Sequence, residues 1–131
     1  LPRAIALLAL AAPLPATAED LRSGAELYAW NCATCHGPDG SGGGPMAEAL
    51  AIPVPPIDTL AAQNDGRFPL YETVAIIDGR TALRGHGGPM PVYGVQFRGP
   101  AAAVDGPDGS VLETRAEVLA LAEYLATLQR D

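Results

Sequence analysis

Cys32-Ala33-Thr34-Cys35-His36 is the stretch whose reading decides this chain. Two thiols three positions apart on one helical turn can both reach the vinyl groups of a single haem. The imidazole that follows them can then reach the iron of the same macrocycle. C-x-x-C-H therefore reads as covalent haem attachment, with Cys32 and Cys35 as anchors and His36 as an axial ligand. A C-x-x-C pair can also be a thioredoxin-like dithiol, but that motif accompanies a βαβ pattern, and no strand pattern leads into Cys32. It can be half of a structural zinc site, but such sites use four Cys/His ligands. The chain has two Cys and two His, His36 and His86, so the second ligand pair is missing.

Upstream of the motif, Arg3 gives a positive start, Ala4 to Leu14 is an apolar run, and Ala16-Thr17-Ala18 is an A-x-A cleavage site. Residues 1–18 thus read as a secretory signal peptide, and residues 19–131 as a single domain. The apolar run, broken by Pro13 and Pro15, is shorter than the roughly 20 residues of a transmembrane helix. No later segment is apolar enough to span a bilayer. Export, with a periplasmic destination, agrees with a haem that occupies both thiols, since exported thiols otherwise form disulfides.

The 131 residues carry a formal charge of −7, with no Lys anywhere. Such a surface makes nucleic acid and anionic lipid poor partners. A redox protein with a basic docking patch suits it, because charge complementarity governs encounter. Aromatic residues are few for a core, and a large flat apolar cofactor would make up that deficit.

Ser23-Gly24-Ala25-Glu26 matches the capping box S-x-x-E and predicts a helix start at Ser23. Leu21, Ala25, Tyr28, Ala29 and Cys32 follow at helical spacing as its inner face, so this helix carries both cysteines at its C-terminal end. From Gly37 to Pro56 the chain is rich in Gly and Pro and resists regular structure, apart from one short turn over Met46 to Leu50. It is either a loop following a surface or a linker. Pro69 is placed to open a helix running to about Asp78, stopped by Gly79, with Leu70, Val74 and Ile77 buried. Arg80 to Pro100 reads as an ordered loop, and Asp105 to Ser110 as a turn. Thr114-Arg115-Ala116-Glu117 is a second capping box, opening a helix through Leu128 with Val118, Leu121, Ala122, Leu125 and Leu128 as its stripe. No strand is predicted.

These features together resemble class I cytochromes c: a C-x-x-C-H helix early in the chain, a middle loop with Met90-Pro91, and an amphipathic last helix. The narrower likeness is to small exported bacterial monohaem cytochromes. The resemblance implies an all-α fold in which the N- and C-terminal helices cross. Short middle helices and long Gly/Pro-rich loops would surround one haem c. It implies that Gly24 and Tyr28 on the first helix meet Tyr124-Leu125 on the last. It also implies that the Pro45 carbonyl accepts the His36 ring N–H and raises the basicity of the ligand.

The sixth iron ligand has three candidates. Met90 lies in a Gly/Pro-bounded loop that can bring a thioether to the metal, and it is the leading one. His86, four residues upstream, would give bis-His ligation. Met46 is close behind His36 and would have to cross to the opposite face. Arg67, Arg80, Arg84, Trp30 and Tyr93 are candidate propionate partners, since buried carboxylates need donors. A His/Met pair favours ferrous iron and raises the potential.

The function expected is non-enzymatic transfer of single electrons between redox partners. An electron-relay subunit of a periplasmic dehydrogenase or sulfur-oxidising complex is the alternative. A ligand-binding or peroxidatic haem protein fits less well, because Met90 would close the iron.

Overall fold

The structure is a computed structural model and describes residues 21–81 and 90–131. The leader read over residues 1–18 lies outside the described residues, as do Arg84 and His86. The elements are α1 (Gly24–Asn31), α2 (Ala33–His36), α3 (Leu70–Asp78), β1 (Ala101–Asp105), β2 (Val111–Arg115) and α4 (Ala116–Thr127). Two 3₁₀ turns, Ala47–Ala49 and Ala62–Asn64, sit in the long segment between α2 and α3.

The Ser23 box caps α1 as expected: Glu26 N–H donates to Ser23 Oγ, and Ser23 N–H to Glu26 Oε2 at 2.8 Å. The face that α1 buries is Leu27 and Tyr28, while Leu21, Ala25 and Ala29 are exposed. The helix breaks at Cys32, so Cys32 sits at the junction and Cys35 on a second short helix, rather than both at the end of one continuous helix. The crossing of the terminal helices explains which face is buried. Gly24 has no room for a side chain against the Ala120 carbonyl and Tyr124 Cβ of α4, so the two backbones meet there. One turn on, the Tyr28 and Tyr124 rings pack with centroids 5.5 Å apart. Leu27, Val74, Val118, Leu121 and Ala122 form the inaccessible centre between α1, α3 and α4. Each large side chain there contributes about 1.5–3 kcal/mol through burial.

The expectation of an all-α chain is corrected by one antiparallel hairpin. Residues 101–105 pair with 111–115, Ala102 opposite Thr114 and Val104 opposite Leu112. The Asp105–Ser110 turn is its loop, closed by Gly106 N–H donating to Ser110 O at 2.7 Å. In β2 burial alternates, with Leu112 and Thr114 inward. That is the period-2 pattern of a half-buried strand.

The hairpin also displaces the second capping box. Thr114 belongs to β2, and Arg115 precedes α4 in an extended conformation with no side-chain cap. Glu117 accepts instead from the Arg22 guanidinium at 2.7 and 3.0 Å and from Arg98 N–H at 2.9 Å. The stripe on α4 is otherwise as expected, with Val118, Leu121, Ala122 and Leu125 buried.

Candidate functional site

The Gly/Pro-rich segment after His36 is not a linker. It folds back on α2 and satisfies carbonyls that the helix end leaves without intrahelical partners. Gly42 N–H donates to His36 O at 2.8 Å, Gly44 N–H to Cys35 O at 3.1 Å, and Met46 N–H to Thr34 O at 2.9 Å. Gly44 is buried so tightly that a Cβ there would lie 2.6 Å from Ala33 O and against Thr34 O. Tyr28 adds a hydroxyl that donates to Gly37 O at 2.6 Å. The turn that carries His36 is thus held from both sides.

The strap that follows, through Pro53 to Asp58, is fastened at its far end. Ile57 N–H donates to Gly40 O at 2.7 Å, and Gln129 Nε2 donates to Ile57 O at 2.9 Å. Arg130 pairs with the buried Asp58 carboxylate, and its N–H donates to Asp58 O at 2.8 Å. These ties bring the Pro55 carbonyl 3.2 Å from His36 Nδ1. Pro55 therefore takes the place that the resemblance gave to Pro45, which lies exposed on the preceding loop. With Nδ1–H as donor, the lone pair sits on Nε2, the nitrogen suited to bind a metal.

Cys32, Cys35, His36 and Met90 all line one cavity of about 570 Å³. Ile76 and Tyr93 also line it, from α3 and from the segment after Met90. Its volume is in the range of cofactor sites, and its wall is mainly aliphatic and proline. Met46 is not part of it; that side chain is 47% exposed on the outside of the loop.

Of the suggested propionate partners, Tyr93 alone among the described residues reaches the cavity wall, and its hydroxyl donates to Asn31 O at 3.0 Å. Trp30 is 81% exposed, Arg67 is exposed, and Arg80 is paired with Asp78 at 3.0 Å. Sequence reasoning passed over Pro55, Ile76 and Asn31. Ile76 carried a signal: it follows the apolar pattern of α3, yet it stays half-exposed because the cavity lies beside it.

The chemistry of the thiols bears on the two rival readings. Burial, with a smaller effect from Cys35, pushes the Cys32 thiol up to about 12. A redox dithiol depends on a depressed thiol pKa, so the microenvironment is the wrong one for disulfide exchange. Among the described residues no group of three or more His, Cys, Asp or Glu is placed to hold a metal ion.

Two thiols and an imidazole at an apolar cavity, with a thioether on its wall, are a donor set that fits haem. The family model for cytochrome c matches residues 21–129. The chain belongs to the cytochrome c family, and its cofactor is covalently bound haem c. The family role is that of a haem electron carrier working with redox-protein partners. Comparison with curated proteins and with solved structures returned no significant match. No helix among the described residues is long and apolar enough to cross a membrane.

Proposed function

We propose that residues 19–131 form an exported monohaem carrier of single electrons, delivered to the periplasm by a leader over residues 1–18. Cys32 and Cys35 would hold haem c through two thioether bonds, each thiol adding its S–H to a vinyl group with no oxidant consumed. His36 and Met90 would ligate its iron. The observation that carries this reading is that all four side chains line one cavity.

Haem c, when bound, supplies a one-electron ferric/ferrous couple. His36 is oriented by its Nδ1–H bond to Pro55 O, which strengthens Nε2 as a donor. Met90, a neutral thioether, would donate weakly to ferric iron and so favour the ferrous form. Ligating the iron together, His36 and Met90 would keep substrates from it. Ile76, Leu50 and the Pro53–Pro55 strap would lay an apolar wall beside it. The acidic surface, at −7 overall, favours a redox partner with a basic face.

The test is the ferric absorption spectrum and midpoint potential of the haem-loaded protein and two variants. Met90→Ala is expected to abolish a methionine–iron charge-transfer band, lower the potential and admit carbon monoxide to ferrous iron. If His86→Ala does this and Met90→Ala does not, the ligand is His86. Haem that leaves the chain on acid–acetone extraction would sink the thioether assignment.

A further inference from the structure

The chain leaves α3 through Gly79 to Thr81 and returns through Met90 to Gly94, and both legs meet Asp78. Asp78 is the last residue of α3, and its side chain is 8% exposed. Its Oδ2 accepts from Arg80 Nε at 3.0 Å on the outgoing leg. The same oxygen accepts from Thr114 Oγ1 at 3.1 Å. On the returning leg, Gly94 packs directly on Asp78: a Cβ there would lie 2.7 Å from its carbonyl oxygen and against Oδ1. Backbone bonds run parallel to these contacts, Arg80 N–H to Ala75 O at 2.8 Å and Tyr93 N–H to Ile77 O at 3.1 Å.

Helix stability does not explain an acid at this position. The C-terminal end of a helix carries partial negative charge, and a carboxylate there is unfavourable. What the carboxylate gains is the junction of three segments. The third segment is β2, the strand that no helix-only reading of this chain provides.

We infer that Asp78 is a positioning residue for Met90, held in its working orientation by the Thr114 hydroxyl of the hairpin. The hairpin is thereby a brace for the segment that brings the thioether to the cavity. Removing the hydroxyl lets the carboxylate swing toward Arg80 and solvent, and Gly94 loses its seat. The returning leg then opens at Tyr93, and Met90 moves with it. This inference rests on the reading of Met90 as an iron ligand.

The experiment uses the haem-loaded full chain with Thr114→Val, which is nearly isosteric, Thr114→Ser, Asp78→Ala and Met90→Ala. Three quantities are read: the ferric methionine–iron band, the carbon monoxide association rate of the ferrous protein, and amide hydrogen exchange at Tyr93. Thr114→Val and Asp78→Ala are expected to weaken the band and speed carbon monoxide binding. They should also raise Tyr93 exchange by about tenfold or more, the scale of a lost bond to a charged group. Thr114→Ser, which keeps the hydroxyl, should restore all three. The brace is overturned if Thr114→Val and Asp78→Ala lower the melting temperature yet leave all three readings at wild-type values while Met90→Ala loses the band. A band that survives Met90→Ala overturns the ligand reading, and the brace with it.

Discussion

Tyr124 Cβ stands 2.7 Å from the point where any side chain on Gly24 would begin, and the Ala120 carbonyl oxygen is closer still. The crossing of α1 over α4 therefore depends on a missing methyl group. Gly24→Ala would gain about 1 kcal/mol of helix propensity. It would also push a backbone carbonyl out of place, and overpacking of this kind costs about 1–3 kcal/mol. Net destabilisation is expected in urea unfolding, with a lower midpoint than wild type. A higher midpoint would mean that the helices can part without loss.

The Tyr28 hydroxyl donates to Gly37 O, and both residues are buried. Burial pushes this hydroxyl up to about 12, so it keeps its proton across the neutral range. Tyr28→Phe removes this donor and leaves the carbonyl beside His36 only the long bond from Gly40 N–H at 3.4 Å. A loss of about 0.5–1.5 kcal/mol is expected. Chemical denaturation of the haem-loaded protein measures it, and an unchanged free energy would show that water replaces the hydroxyl at Gly37.

How much of this was legible in the sequence depended on the range of the signal. The Ser23 box, the Pro69 and Gly79 limits of α3 and the stripe on α4 are local patterns, and each lies within about three turns of chain. The hairpin was hidden because Ala101 to Ala103 are weak strand formers, so only β2 carried a period-2 pattern. Thr114 and Glu117 fit a capping box equally well on paper. Their side chains went to Asp78 and Arg22, partners that no window of sequence brings near. Pro45 and Pro55 are both prolines after a C-x-x-C-H motif. The choice between them is made by the Gln129 and Arg130 ties that set the strap's height over His36. Cys32, Cys35, His36 and Met90 could be named from their residue types, whereas the cavity that brings them together and the ties that support it required the fold.

Gly44 tests whether the loop over α2 matters to cofactor loading. A methyl group at this position meets the Ala33 and Thr34 carbonyls, so Gly44→Ala must lift the loop off the helix. The bonds from Gly44 and Met46 to the Cys35 and Thr34 carbonyls would lengthen together. The expected result is a lower yield of protein with haem held through acid–acetone extraction, at equal total expression. Gly43→Ala, where a Cβ meets nothing within 4 Å, is the control and should load normally. Equal loading of the two variants would show that the loop can shift without disturbing Cys35 and His36.

Glu117 gives a prediction with a definite sign in pH. Its side chain is 3% exposed, and hydrogen bonds from Arg22 hold its carboxyl at about 2, down from an ordinary 4.5, against the opposing effect of burial. Arg22 also lies 5.9 Å over the Phe97 ring, and Arg98 N–H reaches the same carboxylate, so the group joins the chain before α1 to the segment before β1. A depressed folded-state pKa stabilises the fold above the unfolded value. That stabilisation is fully present above about pH 4.5 and is lost as pH falls toward 2. Glu117→Gln removes the charge and turns an amide N–H₂ toward Arg22, costing about 1.5–3 kcal/mol at neutral pH. Because the variant cannot titrate here, its deficit relative to wild type should shrink steadily between pH 5 and pH 2 as the wild-type carboxyl takes up a proton. Parallel denaturation curves at pH 7, 5, 4 and 3 measure the gap. A gap that stays constant with pH would assign the loss to packing and not to the charge of Glu117.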